Sequence, residues 1–245
     1  MDASATIRDS MQAVARLRES VAADPRLQSA LRDVKRLQAR RFRGTYADLL
    51  RSPVYSAPAD FFLRELYGEQ DYSRRDDQFS RIAGAIERLF PAQVAQTAAS
   101  LAHLHALTED LDVQMARMWP DGQDSTAAAR YARAWRTLGR REERLQQLQS
   151  VAALGHDLVR LTRTPGLRTM LKLMRAPAAA AGLADLQRFL ETGFDTFAGM
   201  ARRSGAAEHF LATVEQRERA LMELLDEADD VACETELARI LGQAP

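Results

Sequence analysis

The chain has 245 residues, of which 46% are hydrophobic and 28% are charged, as is ordinary for a soluble globular protein. Its 34 basic and 34 acidic residues cancel, so its net charge gives no general attraction to nucleic acid or anionic membranes. A single cysteine, Cys233, excludes an internal disulfide and a cysteine-based zinc cluster. Without a signal pattern or an apolar run of about 18 residues, we expect a cytoplasmic protein with no membrane span.

Apolar residues recur at helical spacing from the start of the chain, and strand-like alternation is nearly absent. The first apolar face consists of Ile7, Met11, Val14, Leu17 and Val21. Asp24-Pro25 predicts the end of this helix and the start of a second one, because aspartate caps a helix and proline fits its first turn. We expect the second helix to run to about Arg43, where Gly44 ends it.

Turn and capping residues divide the rest of the chain into further helices. We predict these over 45–50, 57–67, 73–89, 91–118, 124–161, 165–176, 183–204 and 210–224. The stretch 124–161 is expected to be one helix, bent near Gly139. The pattern predicts an all-α protein without a sheet, a single compact multi-helix bundle of about eight to ten helices in one domain over residues 1–245.

Several polar residues share the apolar side of their predicted helices. Arg75 falls at the angle of Ile82 and Ile86, so we expect it to pair with Asp71 or an acidic residue of a neighbouring helix, or else to bind an anion. Histidines and carboxylates lie on the inner side of later helices. The candidate polar pocket consists of Tyr67, Asp71, Arg75, Asp76, His105, Glu109, Asp112 and His156.

Inward-facing histidines on separate helices are one way to hold a metal ion or haem in a bundle. The candidate metal ligands are His105, Glu109 and His156. The chain has no Glu-x-x-His and no His-Glu-x-x-His motif, however. We therefore predict no cofactor, and haem or a transition metal is the alternative to histidines hydrogen-bonded within the core.

Four arginines follow one side of the second helix, opposite Leu27, Leu31 and Val34. This arginine stripe consists of Arg32, Arg36, Arg40 and Arg43. Such a stripe can meet nucleic-acid phosphates or another anion. A solvated helix face has the same pattern, and the zero net charge favours that interpretation. We expect no nucleic-acid partner.

One long motif resembles the hallmark of a known family. It reads Phe61-Phe62-Leu63-x-x-Leu66-Tyr67-Gly68-x-x-Asp71, followed by Arg75-Asp76-x-Gln78-Phe79-x-Arg81-Ile82. The family it resembles consists of uncharacterised helical proteins from proteobacteria, a domain of unknown function. The resemblance implies a motif-bearing core over about 37–225 and makes the acidic tail over about 226–245 an addition. The residue pattern predicts that this tail is weakly structured, with a weak helix around 237–241. The resemblance implies no particular reaction and no particular ligand.

Motifs for nucleophilic catalysis and for phosphate binding are absent from the chain. Whether the protein is an enzyme is undecided, and the pattern leans against it. The first hypothesis is a helical scaffold or protein-interaction module that meets a protein partner or a second copy of itself. The first alternative is a ligand-, metal- or haem-binding protein with a polar pocket around Arg75, His105 and His156. The second alternative is an anion or nucleic-acid binder that uses the arginine stripe.

Overall fold

The computed structural model describes residues 2–65, 72–120 and 126–244, and these residues form thirteen α-helices and no strand. The helices are α1 (Ala3–Ala22), α2 (Pro25–Thr45), α3 (Ala47–Arg51), α4 (Ser56–Glu65), α5 (Ser73–Leu89), α6 (Ala92–Arg117), α7 (Ala127–Leu138), α8 (Arg141–Thr162), α9 (Leu167–Leu173), α10 (Arg175–Ala180), α11 (Ala184–Ala201), α12 (Ala206–Glu227) and α13 (Asp230–Gly242). The all-α class is confirmed.

The predicted number of eight to ten helices is wrong. The expected helix over 124–161 is two helices, because Gly139 and Arg140 have φ angles of 66° and 58°, which no α-helix accommodates. The expected short basic helix is also two, α9 and α10, and Pro177 lies in the first turn of α10, where proline is tolerated. Helix α13 is the third helix beyond those counted in the prediction.

Local capping explains where several helices begin. The Asp24 side chain accepts hydrogen bonds from the backbone N–H groups of Arg26 and Leu27, and Pro25 is the first residue of α2. This confirms the helix start predicted at Asp24-Pro25. Asp229 caps α13 in the same way, through the N–H of Ala232.

The sequence pattern predicts that α2 ends at Gly44. The helix continues instead to Thr45. Gly44 is buried where α2 packs against α13, and a Cβ atom at this position would overlap the backbone carbonyl of Ile240. Glycine is therefore needed here for close helix packing rather than for helix termination.

The last segment of the chain, expected to be weakly structured, contains α13. Cys233 and Leu237 of α13 are fully buried, and the helix packs against α2 and α7. These side chains belong to the same hydrophobic cluster as Leu27 and Leu225.

Helix α6 lies at the centre of the bundle. It packs against α1, α2, α5, α7 and α8, and Leu104, Leu111 and Val113 are each 1% exposed. One hydrophobic cluster lies on its N-terminal half with α1, α5 and α11, and another on its C-terminal half with α2, α7, α12 and α13. Both halves of α6 thus contribute to the hydrophobic core.

The contact at Gly44 gives a stability prediction. We expect Gly44→Ala to lower the free energy of unfolding by about 1–3 kcal/mol, because the new methyl group forces α13 away from α2. Urea-induced unfolding followed by circular dichroism measures this.

The matched control is Gly199→Ala, since Gly199 is exposed within α11 and nothing lies within 4 Å of an added Cβ. This substitution is expected to be neutral or to stabilise by up to about 1 kcal/mol. Equal effects of both substitutions would contradict the assigned packing of α13.

Candidate functional site

Two carboxylates of α6 are held by side chains of α2. The Lys35 ammonium donates a hydrogen bond to Glu109 Oε1 at 2.7 Å, and Gln38 Nε2 donates one to Asp112 Oδ1 at 2.9 Å. Lys35 and Gln38 are three residues apart on α2, and Glu109 and Asp112 are three residues apart on α6. One helical turn of α2 therefore lies along one turn of α6. Glu109 and Asp112 therefore connect these two helices.

Asp76 of α5 is the centre of a second polar cluster. Its carboxylate is 4% exposed, accepts a hydrogen bond from Arg18 Nη2 at 2.5 Å and lies 2.8 Å from His105 Nε2. Burial opposes ionisation, but the hydrogen bonds from His105 and Arg18 hold the pKa of Asp76 below its ordinary value. This cluster joins α1, α5 and α6.

Arg75 forms the ion pair that its helical position predicts. Its Nη1 lies 2.5 Å from Glu65 Oε2, on α4, and its guanidinium lies over the rings of Tyr72 and Phe189. Burial raises the pKa of Glu65, although the charge of Arg75 opposes that rise.

The residues of the candidate polar pocket thus fall into separate places. Arg75, Asp76 and His105 are close together, whereas Glu109 and Asp112 face α2, and His156 is exposed on α8. Tyr67 and Asp71 lie outside the described residues. Within the described ranges, no group of three or more His, Cys, Asp or Glu side chains is placed to hold a metal ion.

The arginine stripe lies on the outer side of α2. Arg32, Arg36 and Arg40 are exposed and Arg43 is half-buried. Arg40 Nε donates a hydrogen bond to the carbonyl oxygen of Leu241 at 3.1 Å, so it also contacts the C-terminal end of α13. Anion binding by this stripe stays a prediction.

The structure contains an apolar cavity of about 350 Å³ that the sequence pattern did not predict. We call it the apolar cavity. Helices α4, α5, α6, α8, α9, α10 and α11 surround it, with side chains such as Phe61, Leu101, Leu158, Leu190 and Phe194. Helical periodicity identified many of these residues as inward-facing, but that pattern is the same for a packed core and for a cavity wall.

Few polar groups line the apolar cavity. The Thr97 hydroxyl donates to the carbonyl of Gln93, and Gln187 Nε2 donates to the carbonyl of Leu171 at 2.6 Å. Glu65 also lines the cavity and is paired with Arg75. The interior is therefore suited to an apolar guest.

The apolar cavity reaches the surface between the end of α5 and helix α10. Leu89 lines it and is nevertheless 69% exposed, and Pro177 and Ala181 are exposed lining residues as well. Arg81 Nη2 donates a hydrogen bond to the carbonyl of Ala181 at 3.1 Å and so connects α5 to the end of α10. A small molecule thus has a route inward at this point.

A second, polar cavity of about 70 Å³ lies beside the first. We call it the polar cavity. Its charged lining residues are Arg41, Asp112, Arg144 and Glu218. Glu218 is engaged, because it forms an ion pair with Arg41 and accepts a hydrogen bond from the Tyr46 hydroxyl at 2.8 Å. Phe62 and Val151 line both cavities and so form a shared wall.

Arg144 was not singled out from the sequence, although a signal for its burial exists. It shares one face of α8 with Leu148, Val151 and Gly155, at the spacings of four, three and four residues that mark a buried stripe. The structure places it inside, at 5% exposure.

These features define an all-helical protein with an apolar and a polar cavity side by side. The chain belongs to the family described as Domain of unknown function (DUF8198), whose model matches residues 17–231. Searches of the curated proteins and of the solved structures found no match. No helix among those described is long and apolar enough to cross a membrane.

Asp112 gives a prediction about pH. Burial raises its pKa from 3.8 to about 6. Between these values the folded state holds this proton more tightly than the unfolded state, so the contribution of Asp112 to stability falls as pH rises through that window. We expect the free energy of unfolding of Asp112→Asn, relative to that of wild type, to increase by about 2 kcal/mol between about pH 4.5 and about pH 7.

Urea unfolding of both proteins at the two pH values measures this difference. Asp9→Asn, at an exposed position of α1, is the control and should leave the pH dependence of wild type unchanged. The same pH dependence for wild type and Asp112→Asn would contradict the assigned burial of this carboxyl group.

Proposed function

We propose that the protein binds an apolar or amphipathic small molecule in the apolar cavity. The observation that carries this proposal is the cavity itself, about 350 Å³ in volume and open to the surface at Leu89. Ligand pockets typically measure about 300–1,000 Å³ and are lined mainly by apolar and aromatic side chains with a few polar groups.

The energetics of packing support a guest. An unfilled apolar space costs about 24 cal/mol per Å³ in a protein core. A bound apolar molecule would recover dispersion contacts along these walls.

This proposal keeps the ligand-binding alternative of the sequence analysis but changes its chemistry. The pocket expected around Arg75, His105 and His156 is polar, whereas the larger cavity is lined mainly by carbon atoms and includes none of these three residues. Haem or a transition metal as ligand stays a prediction.

The other hypotheses from the sequence also stay predictions. They include a scaffold or protein-interaction role, a protein partner or self-association, and anion or nucleic-acid binding by the arginine stripe. The cytoplasmic location, the proteobacterial origin and the role of the aromatic motif as a family hallmark belong with them.

A neutral fluorescent probe tests the proposal. We expect N-phenyl-1-naphthylamine to bind the wild-type protein with increased fluorescence and to be displaced by dodecanol. Ala98 lines the cavity on α6, so Ala98→Phe should fill part of it and weaken probe binding at least tenfold without lowering the melting temperature.

Ala220→Phe, on the exposed side of α12, is the matched control and should bind like wild type. Probe binding that is absent from wild type, or unchanged by Ala98→Phe, would overturn the proposal.

A further inference from the structure

Arg144 is a buried cation without a carboxylate partner among the described residues. It is 5% exposed, and within the described part of the chain its Nε has no hydrogen-bond acceptor. Its Nη2 donates a weak hydrogen bond to the sulfur of Met115, at 3.6 Å. Its guanidinium lies 3.5 Å from the centre of the Trp135 ring. A ring face offsets part of the desolvation of a cation but leaves its N–H groups without acceptors.

Two other cations of the bundle form ion pairs with buried carboxylates. Arg41 pairs with Glu218, and Lys35 pairs with Glu109. A buried charge without such a partner is strongly destabilising. Among the described residues, no carboxylate forms an ion pair with Arg144, and the charges of Asp112 and Asp226 act on it only from a greater distance.

The space in front of Arg144 suits a small polar group. The polar cavity of about 70 Å³ has room for a few water molecules or one head group. Neutral hydrogen-bonding groups also line it. They are Gln38, Thr108, Tyr131 and Gln147. A guanidinium presents its N–H groups as a planar fork that matches a carboxylate.

The acidic groups near Arg144 are Glu218, Asp112 and Asp226, and none of the three forms an ion pair with it. Asp226 accepts a hydrogen bond from Trp135 Nε1 at 2.6 Å. Glu218 is neutralised by its pair with Arg41. Asp112 accepts a hydrogen bond from Gln38, and the charge of Lys35 acts on it as well. Because burial raises the pKa of Asp112 to about 6, its carboxyl group protonates in mildly acidic solution and then becomes a hydrogen-bond donor.

The polar cavity adjoins the apolar cavity at the shared wall of Phe62 and Val151. A molecule that occupies both cavities would pass between them beside these two side chains. One cavity offers an unpartnered cation and the other offers apolar space. Together they match the two ends of an amphiphile.

We infer that the ligand is an amphiphile with an anionic head group, such as a long-chain carboxylate. The head group accepts hydrogen bonds from Arg144 in the polar cavity, and the hydrocarbon chain passes Phe62 and Val151 into the apolar cavity. This inference rests on the proposed function and adds the class of ligand to it.

Two probes of equal chain length test the inference, namely laurate and dodecanol, measured by displacement of N-phenyl-1-naphthylamine. We expect wild type to bind laurate at least tenfold more tightly than dodecanol. Arg144→Gln should lose at least tenfold in laurate affinity and keep its dodecanol affinity, because only the carboxylate uses the guanidinium. The dodecanol measurement also shows that the variant is folded.

Arg160→Gln changes an exposed arginine of the same helix and should bind both probes like wild type. Acetate serves as the free-anion probe, and we expect it to compete weakly with laurate.

The outcomes separate the two proposals. Equal binding of laurate and dodecanol, with no effect of Arg144→Gln, overturns the anionic head group and leaves an apolar ligand site. Arg144-dependent acetate binding as tight as that of laurate also overturns the amphiphile, in favour of a free anion. Failure of all apolar probes to bind overturns the proposed function together with this inference.

Discussion

Helix α6 buries polar as well as apolar side chains, and much of the bundle follows from that constraint. A charge removed from water must meet an opposite charge or a hydrogen-bond donor. Glu109 and Asp112 meet Lys35 and Gln38, which fixes the register of α2 on α6. The carboxylate of Asp76 on α5 contacts Arg18 on α1 and His105 on α6, and so fixes these three helices against one another. Polar contacts thus determine how one side of α6 is covered.

Elsewhere α6 contributes to the wall of the apolar cavity, through residues such as Val94, Ala98 and Leu101. Apolar attraction is non-directional, so it brings helices together without fixing each side chain against a particular partner. A small residue such as Ala98 on α6 then leaves internal space between aromatic walls. The same bundle combines specific polar pairing with room for a guest.

The sequence predicts those features that depend on near neighbours along the chain. The cap at Asp24 lies within one turn of α2 and was predictable, as was the need of Arg75 for a carboxylate. Its partner Glu65 could not be identified, because the order of helices in space is not encoded in their periodicity. Gly44 was misinterpreted for the same reason, since its role depends on α13, almost 200 residues later. Likewise, periodicity shows that Leu101 faces inward but not whether the space opposite is filled.

The central claim is that the apolar cavity holds the hydrocarbon part of a ligand. A crystal structure of the protein grown with a saturated fatty acid that carries bromine at the end of its chain tests this most directly, because the anomalous signal locates that chain end. We predict a bromine peak inside the apolar cavity, near Leu101 and Phe194. A bromine peak found only at the protein surface, with the cavity filled by rearranged side chains, would contradict the claim.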